Sequence, residues 1–395
     1  MDKKGFIVFI SVFSAFMLVI SFGFLPIFAT SVDSAYANEN TESAINIVNF
    51  NGTMPANAAR CAIVIDANTK NILFEKNADE ARGMASTTKI MTALVAIENC
   101  NPETEFQIPK EAVGVEGSSV YLKEGEVLTL SELLYCLMLE SGNDAATAIA
   151  VCVGGSIENF AEMMNQRAKE MGLTSTHFTN PHGLSDENHK TTARELAYIT
   201  AEAMQYPLFC EIVSTKTKRV RYDGIENGRS LTNHNKLLFN YEGATGVKTG
   251  YTKLDGRCLV SSAKRDDMHI IAVTLHDPSP TSTHKTLLDN AFKDFELAEI
   301  IKPYDITTEI PVTNSEDMFL SVTNKKGLSL CLPKDSNMTV ELDIPETIQA
   351  PIEEGEIIGK AICKYNEETV YIIYLESTET VIEKKKSFFE LLFGK

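Results

Sequence analysis

The segment Ser86-Thr87-Thr88-Lys89 constrains this chain most, because it sets a serine and a lysine at the start of an apolar stretch, Ile90 to Ile97. The stretch predicts a buried helix that begins at Ser86. Residues three apart lie on the same face of a helix, so the serine hydroxyl and the lysine amine are expected to be neighbours. A free serine is a weak nucleophile and needs a neighbouring base. Alone, the segment also fits a serine that only caps its helix.

Two later triplets extend this pattern. Ser141-Gly142-Asn143 interrupts an apolar stretch between Leu128 and Val153, and Lys248-Thr249-Gly250 lies within residues 246–251. Taken singly, the first fits a helix-ending turn and the second the end of a strand. Taken together and in this order, the triplets resemble the signature of active-site serine enzymes that react with penicillin, with Gly142 in place of the usual aspartate.

Two further segments resemble one family of these enzymes. They are T-H-F-T-N-P-H-G-L at residues 176–184 and G-A-T-G-V-K-T-G-Y-T at residues 243–252. From about residue 55 to 298, the chain is similar to low-molecular-mass penicillin-binding proteins of the D-alanyl-D-alanine carboxypeptidase type, serine peptidase family S11. The resemblance implies an α+β fold, in which a serine β-lactamase-like domain with an antiparallel sheet and a helical cluster precedes a small all-β domain. It also implies a serine carboxypeptidase that trims cell-wall peptides.

Chemistry and resemblance together imply the catalytic roles. Ser86 would attack the carbonyl between two D-alanines and form an acyl-enzyme. Lys89 would take its proton and must therefore be neutral; burial, the helix N-terminus and a second lysine, Lys248, all lower the pKa of a lysine. Ser141, if hydrogen-bonded to Lys89, would pass the proton to the leaving amine. By resemblance, the oxyanion would lie between the backbone N–H groups of Ser86 and Tyr251.

Four residues are expected to bind the substrate, a peptidoglycan stem peptide that ends in D-Ala-D-Ala. Lys248 and Thr249 would receive its terminal carboxylate in a charge-assisted contact. Gly250 has no side chain, so an extended substrate could lie against its backbone. Asn143 would orient either the substrate backbone or the catalytic lysine. His182 could shape the site, although a loop histidine is more often structural.

Several classes of function are excluded. The histidines 177, 182 and 189 lack the spacing of a helical zinc motif such as H-E-x-x-H, so we expect neither a zinc site nor a cofactor. A net charge of -18 argues against a nucleic-acid partner, because phosphate binding needs a basic surface. The even number of cysteines, eight, would allow disulfides in a secreted chain. Several of them lie in apolar runs, however, where cysteine behaves as a small buried hydrophobe.

The N-terminus predicts export. Lys3 and Lys4 precede an apolar run from Phe6 to about Phe28, and Ala35-Tyr36-Ala37 supplies a small-x-small cleavage site. We therefore expect residues 1–37 to be a secretory signal peptide. The run is also near the length that spans a bilayer, so an uncleaved anchor is the alternative. Either way, the body of the protein is expected outside the cytoplasm.

The rest of the chain divides by composition. Residues 38–58 are polar and read as a leader, and residues 59–299 carry the motifs of the peptidase domain. Short alternating strands over residues 300–380 predict a separate β domain. Residues 381–395 combine lysines with Phe388, Phe389 and Phe393, which suits an amphipathic tail at the outer face of the membrane. A docking or disordered tail is the alternative.

Two other functions remain open at this point. A secreted serine β-lactamase would share the triplets, but class A enzymes also need a glutamate for deacylation. The closest glutamate between Ser141 and Lys248 is Glu195, which has no convincing motif around it. A penicillin sensor or wall scaffold would keep the fold without turnover. All three candidate proteins would bind β-lactams. For the carboxypeptidase, β-lactams would act as inhibitors.

Overall fold

The computed structural model describes the backbone of residues 6–10 and residues 47–222 and 228–385. It divides the chain into two compact units. The first unit runs from Asn49 to Glu296, and the second begins at Leu297 and also takes in the strand β1 (Phe6–Ile10). The two units differ in architecture: the first combines a sheet with helices, and the second is built from strands.

The sheet of the first unit has five strands in the order β3-β2-β10-β9-β8, and all neighbours are antiparallel. The two central strands are buried along almost their whole length, which is why their sequences are continuous apolar runs rather than alternating ones. Two small hairpins, β4 with β5 and β6 with β7, complete the unit. The strands are β2 (Cys61–Asp66), β3 (Ile72–Lys76), β4 (Glu105–Gln107), β5 (Val127–Thr129), β6 (Thr217–Val220), β7 (Arg229–Thr232), β8 (Ala244–Thr252), β9 (Gly256–Arg265) and β10 (Met268–Leu275).

A cluster of helices forms the main core of the first unit. A capping box starts α2, where Thr129 and Glu132 cap each other's backbone N–H groups. Gly172 follows the end of α4 with φ +73°, a conformation that favours glycine. The helices are α1 (Lys89–Asn99), α2 (Leu130–Leu139), α3 (Asn143–Gly154), α4 (Ile157–Glu170), α5 (Ala193–Ala203), α6 (Pro207–Ser214), α7 (Leu237–Asn240) and α8 (Pro280–Asp294).

Two local predictions differ from the structure. Asp144 was expected to cap α3, but Gly142 holds the N-cap position and the Asp144 carboxylate accepts backbone N–H groups of Val120 and Leu122 instead. The first helix was expected to begin at Ser86. A 3₁₀ turn over Ala85–Thr88 comes first, and the α-helix begins at Lys89.

The second unit is a sheet of seven strands in the order β1-β15-β17-β18-β13-β12-β16, with β11 and β14 as a separate pair. The all-β prediction is confirmed, and alternate residues of β17 and β18 are buried, as expected for strands with one face on a core. The strands are β11 (Phe295–Ile301), β12 (Thr307–Thr313), β13 (Phe319–Thr323), β14 (Leu328–Pro333), β15 (Met338–Asp343), β16 (Ile348–Gln349), β17 (Ile357–Tyr365) and β18 (Glu368–Ser377).

The predictions for the two chain ends stay predictions. Within the expected signal peptide, the structure describes β1, whose backbone pairs with β15 in antiparallel register. The cleavage site at residues 35–37 and the apolar part of the tail, from Ser387 on, lie outside the described residues. None of the helices in the described ranges combines the length and the hydropathy that a bilayer crossing needs.

The start of the first unit lies earlier than the expected end of the leader at residue 58. Val48 and Phe50 are buried, and Asn49 forms a β-bridge with Ile72 at the start of β3. Apolar residues in a mostly polar stretch thus extend the edge of the sheet. All eight cysteines lie in the described ranges and are free thiols.

Candidate active site

The nucleophile lies in the tight turn that precedes α1. Ala85 has a positive φ of +47°, and the hydroxyl of Thr88 donates to its carbonyl at 2.8 Å, so the turn is held by its own side chains. Ser86 is half-buried and lines a cleft with a volume of about 400 Å³. The turn therefore presents the serine hydroxyl to the cleft while its neighbours stay buried.

Lys89 lies completely buried one turn further on. Its Nζ is 3.1 Å from Ser86 Oγ, 2.7 Å from Asn143 Oδ1 and 2.7 Å from the carbonyl oxygen of His182. A charged amine would donate to all three oxygens. A neutral amine has two N–H groups and one lone pair. The amide oxygen of Asn143 and the carbonyl oxygen of His182 can only accept, so the lone pair is left for the proton of the serine hydroxyl.

The electrostatics of the site favour the neutral amine. Burial lowers the pKa of Lys89 well below its ordinary value, the charge of Lys248 lowers it further, and Asp144 partly offsets both effects. Burial alone lowers the pKa of Lys248 to about 7. The predicted causes, burial and a second lysine, are therefore confirmed.

The third triplet lies on β8, the last strand of its sheet, so among the described residues no strand pairs with its outer edge. Gly250 brings this strand against the nucleophile: a Cβ there would lie 3.0 Å from the backbone nitrogen of Ser86 and 3.1 Å from the carbonyl of Met84. Lys248 donates to the carbonyl of Thr249 at 2.9 Å. A glycine at position 250 therefore makes room for the turn that carries Ser86. From the sequence alone, this glycine was instead expected to admit an extended substrate.

The second triplet contacts Lys89 through Asn143. Ser141, with φ +60°, lines the cleft beside Ser86, whereas Lys89 donates its hydrogen bond to Asn143 Oδ1. The other end of the Asn143 amide donates to the carbonyl of Glu116 at 2.6 Å, which fixes its orientation. Of the two roles expected for Asn143, the structure supports the orientation of Lys89.

A main-chain group that no sequence motif indicates, the carbonyl of His182, is the third hydrogen-bond partner of the Lys89 amine. The carbonyl of His182 accepts from Lys89, while its ring accepts the N–H of Leu184 at 3.2 Å. Burial lowers the pKa of His182 to about 3, so the ring is neutral. The loop is held in place by the hydroxyl of Thr92, which donates to the carbonyl of Pro181 at 2.6 Å. The histidine ring is therefore structural, and only its main chain contacts the catalytic amine.

Asp144 is a second residue that the sequence did not single out for the site. Its buried carboxylate accepts the hydroxyl of Ser119 at 2.6 Å and the N–H groups of Val120 and Leu122 at 3.0 and 3.1 Å. These bonds hold the segment that carries Ser118, which lines the cleft. Asp144 therefore shapes one wall of the cleft.

The cleft brings together most of the residues expected from the sequence. Tyr251, the expected oxyanion donor, follows Gly250 on β8 with its side chain exposed. Within the described ranges, no group of His, Cys, Asp and Glu residues could hold a metal ion. The lining residues are Ser86, Ser118, Ser141, His234, Asn235, Lys236, Thr249, Gly250, Tyr251, Arg257, Cys258, Leu259, Pro280 and Thr281.

An α+β domain with a serine beside a buried lysine, both at the edge of an antiparallel sheet, defines the class of active-site serine hydrolases that use a lysine as the base. Comparison with known families agrees. Residues 49–279 match the family model described as D-alanyl-D-alanine carboxypeptidase, peptidase S11, and residues 295–383 match the C-terminal domain of penicillin-binding protein 5. The chain belongs to the D-alanyl-D-alanine carboxypeptidase family.

Individual relatives span most of the chain. D-alanyl-D-alanine carboxypeptidase DacF of Bacillus subtilis is 32% identical over 326 residues, which cover 80% of this chain and 84% of the relative. DacC of Escherichia coli is 29% identical and covers 90% of both chains. The crystal structure of penicillin-binding protein 5 from Haemophilus influenzae superposes with a TM-score of 0.73 at 27% identity, over 84% of this chain and 99% of that one.

Proposed function

We propose that this protein removes the C-terminal D-alanine from peptidoglycan stem peptides through an acyl-enzyme on Ser86, and that β-lactams acylate the same serine. The observation that carries the proposal is the set of three oxygens around Lys89 Nζ, which leaves the lone pair of a neutral amine for the proton of Ser86. The family and the named carboxypeptidase relatives support the same reaction.

In the acylation step, Ser86 Oγ bonds to the carbonyl carbon between the two D-alanines while its proton moves to Lys89. Backbone N–H groups of Ser86 and Tyr251 stabilise the oxyanion. The C–N bond then breaks, and the leaving amine takes the proton from Lys89 to depart as D-alanine. Water attacks the ester carbonyl and gives one proton to Lys89, which passes it to Ser86 Oγ as the ester C–O bond breaks, releasing the shortened peptide and free Ser86.

The β-lactamase alternative is disfavoured by the place of Glu195. This glutamate lies in the first turn of α5, and its carboxylate accepts the N–H groups of Thr174 and Ser175 and the hydroxyl of Thr176. It is not among the residues that line the cleft. A carboxylate occupied in this way holds a loop in place and does not activate water for rapid release of penicillin.

The proposal extends to location. The N-terminal export signal supports an extracytoplasmic enzyme, and the basic, aromatic C-terminal tail supports a peripheral contact with the outer face of the membrane. Sedimentation with anionic vesicles would test the tail, by comparing the full chain with one that ends at residue 383. Equal binding by both would refute this part.

The direct test of the reaction is mass spectrometry of the protein after incubation with penicillin, together with an assay of D-alanine released from a peptide that ends in D-Ala-D-Ala. We expect the adduct on Ser86 and its loss, with all D-alanine release, in Ser86→Ala. Ser230→Ala is a matched control, because this exposed serine lies on β7 and does not line the cleft. Release by the wild type no faster than by Ser86→Ala would favour a non-catalytic penicillin sensor, and rapid turnover of penicillin would favour a β-lactamase.

A further inference from the structure

The buried lysine of the third triplet is poorly suited to hold the carboxylate of the substrate by itself. Lys248 is 1% exposed, and its amine already donates to the carbonyl of Thr249. Its charge also helps to keep Lys89 neutral. A carboxylate paired with Lys248 would cancel that charge at the moment when Lys89 must act as a base. A different cation at the cleft would avoid this conflict.

Three candidate cations line the cleft: His234, Lys236 and Arg257. His234 is engaged with Glu140, whose Oε2 lies 3.1 Å from its Nε2. Lys236 is exposed and precedes the short helix α7. Arg257 lies on β9 and lines the cleft, and its exposed guanidinium lies 5.3 Å from the centre of the Tyr251 ring. In the described part of the chain, no carboxylate lies within ion-pair distance of this guanidinium.

The register of β8 and β9 puts Arg257 on the side of the sheet that carries the hydroxyl of Thr249. Thr249 pairs with Leu259, and Tyr251 pairs with Arg257. Side chains two residues apart on a strand share a face, so Thr249, Tyr251 and Arg257 all lie on one face. Diagonal neighbours across such a pair are roughly 7–8 Å apart at Cα, a span that a long arginine side chain covers.

We propose that Arg257 binds the terminal carboxylate of the peptide substrate together with Thr249, and so makes the enzyme specific for a free C-terminus. An arginine stays charged throughout the physiological pH range, and its planar fork matches the two oxygens of a carboxylate. The Tyr251 ring holds the guanidinium in place, which limits the entropy lost on binding. The inference rests on the proposed function and names the residue that selects its substrate.

The test compares a peptide that ends in D-Ala-D-Ala with the same peptide as its C-terminal amide, which lacks the negative charge. For Arg257→Gln we expect kcat/KM on the free acid to fall roughly 10- to 100-fold, the range that a hydrogen bond between charged groups supplies. On the amide, kcat/KM should stay within about twofold of the wild type, which also shows that the variant is folded. For Arg257→Lys, kcat/KM on the free acid should lie between the values of the wild type and Arg257→Gln. Lysine keeps the positive charge but lacks the planar guanidinium that can bind both carboxylate oxygens.

Two further variants make the result decisive. Arg219→Gln removes an exposed arginine on β6, away from the cleft, and should leave both substrates unaffected. Lys236→Gln removes the competing cation. An equal loss on acid and amide in Arg257→Gln, no loss on either, or a selective loss only in Lys236→Gln would overturn the assignment. Failure of the wild type to release D-alanine would instead refute the proposed function.

Discussion

Replacing Gly250 with alanine should displace the nucleophile. The added Cβ would lie 3.0 Å from the backbone nitrogen of Ser86, with Ala85 Cβ and the carbonyl of Met84 each 3.1 Å away. These distances are shorter than ordinary van der Waals contacts, so β8 and the turn must separate by a few tenths of an ångström. Three close atoms belong to the main chain or to a methyl group, so no flexible side chain can rotate away to relieve the contact.

This displacement has two measurable costs. Overpacking of this kind lowers the free energy of unfolding by about 1–3 kcal/mol, which urea denaturation would record. A misplacement of about 1 Å can cost roughly 100-fold in rate, so a shift of a few tenths of an ångström should lower kcat/KM for D-alanine release by roughly 3- to 10-fold. The second-order rate of penicillin acylation should fall in parallel, because the same serine attacks.

Gly114→Ala provides the control. Gly114 has φ +75° and nothing within 4 Å of a Cβ position, so alanine there costs about 1–2 kcal/mol of backbone strain without a new contact. Its activity should match the wild type. If folded Gly250→Ala released D-alanine within twofold of the wild-type rate, the close approach of β8 to Ser86 would not matter for catalysis and the geometric argument would fail.

Three further outcomes follow from the electrostatics. Lys248→Met removes the charge that lowers the pKa of Lys89, so the pKa of that base should rise and the acidic limb of the pH profile of kcat/KM should move to higher pH; a shift to lower pH would contradict the coupling. Glu195→Gln should lower the free energy of unfolding, measured by urea denaturation, and leave the slow release of bound penicillin unchanged. An altered release rate would indicate that Glu195 takes part in deacylation. His284 is buried between Ser261 and Thr274 with its pKa lowered by burial to about 3. As the pH falls, His284 takes up a proton in the unfolded state before it does so in the folded state. The contribution of neutral His284 to the free energy of unfolding is therefore complete above about pH 6.5 and falls by up to about 1.4 kcal/mol per pH unit towards pH 3. A His284→Asn variant that loses stability in acid as steeply as the wild type would contradict this linkage.

Features set by nearby residues were predictable from the sequence. The Ser86–Lys89 contact follows from a spacing of three residues, and the Thr129–Glu132 capping box from a local motif. Strands β9 and β10 were recognisable as apolar runs separated by a short turn. In each case the physical cause acts over a few residues, so a local pattern carries the information.

Features set by the path of the main chain were not predictable. The sequence left open whether Ser141 or Asn143 contacts Lys89, because that depends on how the main chain of the triplet runs, and the structure shows Asn143 in that place. The carbonyl of His182 is a main-chain group, which every residue has, so no motif distinguishes it. The pairing of β2 with β10 joins segments about 200 residues apart and depends on the whole topology.

The free edge of β8 has a consequence for inhibitor design. Its main-chain N–H and C=O groups already have an extended geometry, and they offer a preformed template for strand addition. A compound need not copy the chirality of the substrate to use that template. A rigid scaffold with an amide pair locked in the extended form would surrender little conformational freedom on docking, and its affinity would not depend on an electrophilic ring.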